Sequence, residues 1–352
     1  MNALKKARYP PNSGRKPSIS TRKNLIGETT IMPNTFNTDN PITNQILVDI
    51  TNYGVLIDAS DRQFNTPETQ AELKRYTSHL DANNILHPVY TYPGTITNRI
   101  TSRDPNIIGM SKPLRSIVVP RPGCILIDAD YHQADIGGVA WVSGDPAMQR
   151  AYAGGLDFHQ ITASRIFNVP AEAVTADQRR KAKSVSLGIL YGRTAYGVAA
   201  ELNTTTEEAQ DMIDAFFAEY EVLNKFKDNI VSTAFYSPDE CVSTFFGTNI
   251  PVTGIHSLDG QERKAAYRRC LNYAVQGTTS DVFLRALISL NTELEQYNAH
   301  ILVLAYDEFL IEAPMESAQE VADSVKRIMV EAAQPIPMSV DVQMGCSWQE
   351  VH

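Results

Sequence analysis

Apolar and polar residues alternate along the chain in two rhythms, one helical and one strand-like. Residues 43–57 read as a helix leading into Gly54-Val-Leu-Ile-Asp58, and Thr66-Pro-Glu-Thr-Gln-Ala-Glu-Leu-Lys-Arg-Tyr76 follows as a short helix. Between 117 and 131 the pattern turns to strand: Ile117-Val-Val-Pro, a Pro122-Gly123 turn, then Cys124-Ile-Leu-Ile-Asp128 as a buried strand that ends at Asp130. Residues 131–235 are helical in pattern, and 262–296 form a second long helical stretch. Two apolar strands follow, Ile301-Leu-Val-Leu-Ala-Tyr306 and Phe309-Leu-Ile-Glu312, joined through Asp307-Glu308. Residues 1–40, rich in Asn, Pro, Ser, Thr and basic side chains, show no period and read as a disordered arm. No internal repeat is present.

Composition leaves room for a large core in two or three subdomains: 352 residues, 43% hydrophobic and 20% charged. The four cysteines, Cys124, Cys241, Cys270 and Cys346, have no CxxC spacing, which argues against a zinc site or a disulfide framework and for a reducing compartment. No apolar run approaches the roughly 18 residues of a membrane span, and the N-terminus lacks the apolar segment of a secretory signal. The net charge of −9 does not suggest a polyanion partner, but the charge is uneven. Residues 1–26 carry seven bases and no acid, and residues 163–196 carry six bases against Glu172 and Asp177. A globally acidic protein can still present a basic channel, because polyanion binding depends on the local field.

Three constellations carry candidate chemistry. Asp130 ends a strand and Asp307 lies in a tight link between strands, so both carboxylates are held rigidly, as a metal site requires. Asp128, two residues earlier, faces the same side of its strand as Asp130. Hard oxygen donors of this kind suit Mg²⁺, and two such ions would suit an in-line phosphoryl displacement; an isolated Asp in a turn is otherwise a solvated capping residue. The second constellation is a helix that starts at a capping box, Thr175-Ala-Asp-Gln178, and runs to Gly192. Arg179, Lys183, Leu187 and Tyr191 stand four apart on it and share one slowly turning face. Cations followed by an apolar residue and a ring match a nucleoside triphosphate end to end; the same pattern also fits an exposed basic face followed by core packing. The third is Arg268, Asn272 and Gln276, again four apart. Donors of this kind could test base-pair geometry in a minor groove without reading sequence, or could serve a polar interface within the protein.

Taken together these residues resemble the family A DNA polymerases of the bacterial polymerase I type. Asp130-Tyr-His-Gln-Ala-Asp135 with Ser143-Gly-Asp145 resembles the first palm motif. Asp157-Phe-His159 and the stretch from Arg179 through Lys183 to Tyr191-Gly192 resemble the fingers motif. Asn272-Tyr-Ala-Val-Gln276-Gly-Thr resembles the primer–template helix, and Tyr306-Asp-Glu308 the second palm motif. Asn98-Arg99-Ile-Thr-Ser-Arg-Asp104-Pro-Asn106 and the ending Trp348-Gln-Glu-Val-His352 are also similar, and the match runs in order from about residue 70.

The resemblance implies an α+β right-hand fold with an antiparallel-sheet palm, helical fingers and a shortened thumb. The expected divisions are a basic arm (1–40), an abridged thumb (41–95), palm (96–158), fingers (159–255) and palm again (256–352). It implies a DNA-dependent DNA polymerase that adds dNTPs to a primer 3′-OH with two Mg²⁺ ions, for which Mn²⁺ can substitute. By position, Asp130, Asp307 and the Tyr131 backbone carbonyl would hold the ions, with Glu308 beside them. Gln133, Asp135, His159, Arg179, Lys183, Leu187 and Tyr191 would contact the dNTP, Lys183 also acting in the chemistry. Arg99, Asn106, Arg268, Asn272, Gln276 and Tyr306 would touch primer–template DNA.

Several positions depart from the family pattern: Asp135 replaces Glu, Leu187 replaces Phe or Tyr, and Tyr306 replaces His. Gly137 and Thr248-Asn249 stand where basic residues are usual, which resembles a phage-like branch. With about 40 arm-like residues before the first helix, the chain is expected to lack a proofreading exonuclease domain, and the short span from Asp58 to Arg99 predicts an abridged thumb and low processivity. A processivity factor or a separate exonuclease chain would then be partners, in the cytoplasm of a bacterial or phage-infected cell and with no membrane. A single-subunit RNA polymerase and a catalytically silent primer–template-binding module are the rival readings; an acidic residue at 135, which would crowd a ribose 2′-OH, separates the first, and retention of both Asp130 and Asp307 the second.

Overall fold

The structure, a computed structural model, describes residues 40–60, 64–154, 157–190 and 192–352. The expected basic arm and Tyr191 therefore lie outside the described residues. The element order explains how two distant carboxylates meet. Helices α1 (Pro41–Tyr53) and α2 (Pro67–Thr77) are accompanied by short ribbons, β1 (Val55–Leu56) with β2 (Ile85–Leu86) and β3 (Val89–Thr91) with β4 (Thr101–Arg103). A 3₁₀ turn, Lys112–Ile117, precedes β5 (Cys124–Tyr131). Seven helices follow: α3 (Ala134–Ser143), α4 (Pro146–Ala153), α5 (Phe158–Phe167), α6 (Ala176–Leu190), α7 (Ala195–Leu202), α8 (Thr206–Glu219) and α9 (Glu221–Tyr236). Ribbon β6 (Cys241–Ser243) with β7 (Asn249–Pro251) leads into the long α10 (Gly260–Leu294). Then come β8 (His300–Ala305), β9 (Glu308–Pro314), α11 (Ala318–Ala333), β10 (Val340–Gly345) and α12 (Trp348–Val351).

The main sheet is antiparallel, in the order β10-β5-β9-β8. Its period of two separates a dry face from a polar one. Ile127, Ala129 and Tyr131 of β5 lie on one face with Phe309 and Ile311 of β9, by register. That face packs under α10 and α11: Phe283 stacks on Phe309 at 4.1 Å, and the Tyr131 hydroxyl donates to the Met329 carbonyl at 2.7 Å. The opposite face carries Asp128 and Asp130 of β5, Glu308 and Glu312 of β9, and Asp341 of β10, with Asp130 directly between Glu308 and Asp341.

Helix α10 runs through three hydrophobic cores, which is why it shows little amphipathic rhythm. Its second half (Val282 to Leu294) belongs to the sheet's core, Leu271 and Val275 belong to a core built from α3 to α9, and Ala266, Cys270 and Ala274 pack with the β6–β7 ribbon. Between them Asp281 is 1% exposed and accepts from Thr244 (2.5 Å) and Thr248 (3.0 Å). Thr248, at a position where the resemblance led one to look for a base, is thus committed to satisfying a buried carboxylate.

The segment 41–95 contributes Ile46, Leu47, Ile50 and Val55 to the core of the main sheet. Its helices are 13 and 11 residues long, so the described part of it holds no pair of long antiparallel helices. Glu312, 1% exposed, ties it down. The carboxylate accepts from the Tyr53 hydroxyl (2.5 Å), the Arg121 amide (2.6 Å) and Arg121 Nη1 (3.0 Å). Arg121 Nη2 donates to the Tyr53 carbonyl at 2.7 Å, and Tyr53 stacks on His300 at 3.9 Å. Removing one partner of such a buried pair strands the other charge. Glu312→Ala is expected to lower the unfolding free energy by about 3–5 kcal/mol, read by urea denaturation; a loss under about 1 kcal/mol would mean that solvent reaches Arg121 freely.

Candidate active site

The link between β8 and β9 consists of Tyr306 and Asp307, because Ala305 already pairs with Glu308. Tyr306 sits in the left-handed region at φ 61°, an uncommon conformation for a non-glycine residue, of the sort found where function dictates the backbone. The Tyr131 amide donates to the Asp307 carbonyl at 3.2 Å, which fixes the hairpin tip against the end of β5. With the tip docked there, the charge of Asp307 bears on Asp130.

Their electrostatics is that of like charges packed together with little water. Burial, then the charges of Asp307, Glu308 and Asp341, pushes Asp130 up to about 8. Burial, then Asp135, pushes Asp307 up to about 6. Asp128 is raised as well, by burial and by Glu308. Each shift says that the ionised form is poorly compensated by the protein alone. A divalent cation coordinated by hard carboxylate oxygens is the natural compensating charge, and the donor set fits Mg²⁺ or Mn²⁺.

Asp135, in the first turn of α3, pairs with Arg99 at 3.5 Å, and the Arg99 guanidinium lies 5.8 Å from the centre of the Tyr306 ring. Three residues assigned separately to nucleotide and to primer contacts therefore form one group beside Asp307. Gln133 caps α3 in a left-handed conformation (φ 51°) with its amide 3.0 Å from His132 Nε2. A Cβ at Gly137 would come within 2.8 Å of the Tyr152 ring, whose hydroxyl donates to the His132 carbonyl. Tyr152 thus occupies the space that a side chain at 137 would need.

Helix α6 begins with the reciprocal cap expected of it: Gln178 N donates to Thr175 Oγ1 and Thr175 N to Gln178 Oε1. It is described to Leu190; beyond it, Gly192 has a φ of 71° and a close approach to Arg268 on α10 (2.8 Å for an added Cβ), both of which require a glycine. Arg179 and Lys183 are exposed and Leu187 is half-buried, so the polar half of the row is open to solvent. Arg179 Nε donates to Asp157 Oδ2 at 2.5 Å, while Asp157 Oδ1 caps α5 by accepting from the His159 and Gln160 amides. His159 is 4% exposed, with Nδ1 3.2 Å from Ser186 Oγ. Burial, with Lys183 nearby, pushes its imidazole down to about 4.

On α10, Arg268 is exposed and Asn272 and Gln276 are half-buried. They line a cavity of about 290 Å³ with Ala265 and Arg269. Thr97 donates to Gln276 Oε1 at 3.3 Å, which leaves the Gln276 amide NH₂ as a donor toward that cavity's surroundings. Asn106 is exposed, but its Oδ1 already accepts from Ser102 Oγ (3.0 Å) and Gly109 N (3.2 Å), so its carbonyl is used within its own loop.

Sequence reasoning missed the participants from the C-terminal end. Asp341 lies opposite Asp130 in register; the alternation of Val340, Val342 and Met344 with Asp341 and Gln343 was the available signal. Arg115, Trp348 and His352 gather around Glu308, and only the fold brings them there. The Trp348 indole donates to Glu308 Oε1 at 2.5 Å, and Arg115 lies 4.1 Å over the Trp348 ring.

Comparison with known proteins identifies the family. The family model "DNA polymerase family A" matches residues 62–350. The chain belongs to DNA polymerase family A. It is 31% identical over 276 residues to DNA polymerase I of Pseudomonas aeruginosa, covering 76% of this chain and 30% of that protein. It is 34% identical over 271 residues to the thermostable DNA polymerase I of Thermus aquaticus, covering 75% and 32%. Among solved structures it is similar to the POL domain of Pol1 from M. smegmatis in complex with DNA primer-template and dNTP, with a TM-score of 0.76 and 28% identity over 80% of this chain and 51% of that one. The chain thus spans about a third of the length of these curated relatives. Among the described residues no helix is long and apolar enough to cross a membrane.

The buried His159 supplies a pH test. Its folded pKa lies below its unfolded value near 6.5, so the unfolded chain binds the extra proton first. Stability should therefore fall as pH drops from about 6.5 toward 4, and be unaffected by this group above that window. His159→Gln is expected to flatten that part of the stability–pH curve, measured by thermal unfolding in steps of pH; an unchanged slope would contradict a buried neutral imidazole.

Proposed function

We propose that this chain is a DNA-dependent DNA polymerase that extends a primer 3′-OH with dNTPs. The single observation that carries the reading is the docking of the Asp307 hairpin tip against the end of β5, where its charge bears on Asp130, in a chain whose family is that of the DNA polymerases. Asp130 and Asp307, with the Tyr131 backbone carbonyl, would hold two divalent cations. Such ions, when bound, supply the positive charge that phosphoryl transfer requires at the attacking and leaving oxygens.

The remaining work falls to the chain's own side chains. Arg179 offers forked donors and Lys183 a point charge to a triphosphate. Arg179 must exchange Asp157 for phosphate, and the two bonds that Asp157 makes to the α5 amides hold it in place during that exchange. His159, kept neutral, can donate a hydrogen bond without adding charge. Leu187 follows on the same face for the sugar, and by the resemblance Tyr191 would serve the base. Asp135 would crowd a ribose 2′-OH, and it pairs with Arg99, which would touch the primer–template. Arg99, Arg268, Asn272, Gln276, Asn106 and Tyr306 would line the primer–template path, Gln276 with its amide donors free to meet minor-groove acceptors.

Asp130→Ala and Asp307→Ala are each expected to reduce primer extension by at least about a hundredfold, the scale on which losing an electrostatic stabiliser acts, while primer–template affinity stays within a few-fold. Single-nucleotide incorporation with matched dNTPs and rNTPs, alongside filter or fluorescence binding, reads both. Near-normal turnover in either variant would contradict the metal assignment, and a preference for rNTPs would favour an RNA polymerase.

A further inference from the structure

Position 132 carries a histidine to which none of the roles above falls, although it stands between two residues that bear on the site. His132 follows the end of β5, and its backbone is held on both sides. Its amide donates to the Ser339 carbonyl and its carbonyl accepts from the Tyr152 hydroxyl, each at 3.0 Å. The ring reaches in two directions. Nδ1 is 3.5 Å from Asp341 Oδ2, and Asp341 is paired in register with Asp130. Nε2 is 3.0 Å from the side-chain amide nitrogen of Gln133.

An amide NH₂ only donates, so the Nε2 that it meets must present a lone pair. The ring proton then sits on Nδ1, on the side of the Asp341 carboxylate, which is the tautomer that a neighbouring carboxylate selects. Asp341, His132 and Gln133 thus form a chain in which each group orients the next. Gln133 needs such a support. Its backbone is fixed in the left-handed region, with its carbonyl accepting from the Ile136 and Gly137 amides at the start of α3. Its side chain is half-buried, and among the described residues that side chain's one hydrogen bond is to His132. The ring also lies on the triphosphate side of the site, since a charge on His132 bears on His159, as those of Lys183 and Arg179 do.

We propose that His132 is a positioning residue for the incoming dNTP: it holds one N–H of the Gln133 amide and so aims the other at the triphosphate. The proposal rests on the polymerase reading above. His132 itself touches neither substrate nor metal in this account, and its effect passes through Gln133.

Single-nucleotide incorporation by the full chain, with kcat and the dNTP KM measured separately, tests this. His132 is exposed, so its variants should fold. His132→Ala is expected to raise KM about fivefold, the scale of one hydrogen bond, with kcat nearly unchanged. His132→Gln, whose side-chain oxygen can stand where Nε2 stands, should bring KM back toward the parent value. His132→Lys, which keeps a cation there without an acceptor, should not. In a Gln133→Ala chain, His132→Ala should add nothing further. A KM unmoved by His132→Ala overturns the proposal. So does rescue by lysine rather than glutamine, or an equal rise in the Gln133→Ala chain; either would make His132 a direct phosphate contact. A parent chain that extends no primer overturns the polymerase reading and this proposal with it, whereas a working parent with an unmoved KM overturns this proposal alone.

Discussion

The site depends on the cost of holding Asp128, Asp130 and Asp307 close together with little water. One face of the β10-β5-β9-β8 sheet gathers Asp128, Asp130, Glu308 and Asp341, with Asp307 at the adjoining hairpin tip. Burial first, and neighbouring acids second, make Asp128, Asp130 and Asp307 resist ionisation when left alone. The fold tolerates this because the opposite face of the same strands is buried beneath α10 and α11. A site of this kind is stable apolar architecture used to hold an electrostatic demand that a cation can meet.

Around that centre the cationic elements are held by acids that are themselves fixed. Asp157 holds Arg179 while capping α5, and Asp135 holds Arg99 beside Tyr306. The contact between Gly192 and Arg268 brings the end of α6 against α10. Since α10 enters the core of the sheet, the core of the helices and the core of the β6–β7 ribbon, the basic helix and the carboxylates share one continuous support. A change in the packing of α10 is felt at both.

Much of this was legible in the sequence. The apolar strands, the capping box at Thr175 and the long helix near 262–296 follow from local chemistry, and the row Arg179, Lys183, Leu187 from helical period. The identity of Asp130 and Asp307 as partners came from motif order, since residues this far apart in the chain meet only through strand pairing. What was not legible depends on long-range register: Asp341 opposite Asp130, Arg99 against Asp135, and the gathering of Arg115, Trp348 and His352 on Glu308. The strand at Ile117-Val-Val was misread, because Pro113 near the start of a 3₁₀ turn and the single bridge of Val118 to Ile57 outweigh β-branched composition there. The segment 41–95 hid its attachment, because Glu312 and Arg121, which clamp it, look like ordinary surface charges in one dimension.

The most direct test of this account is thermal unfolding of the Asp130→Asn variant against the parent in chelator. Asp130 is raised to about 8 from an unfolded value near 3.9, so the folded state keeps a proton that the unfolded state gives up. Stability should fall as pH rises through that window, and the neutral amide should escape the fall. The account predicts that Asp130→Asn melts higher than the parent by several degrees at pH 8.5, with the difference vanishing near pH 4. A variant that melts lower than the parent at pH 8.5 would show that the carboxylate is already well compensated, and would contradict the central claim.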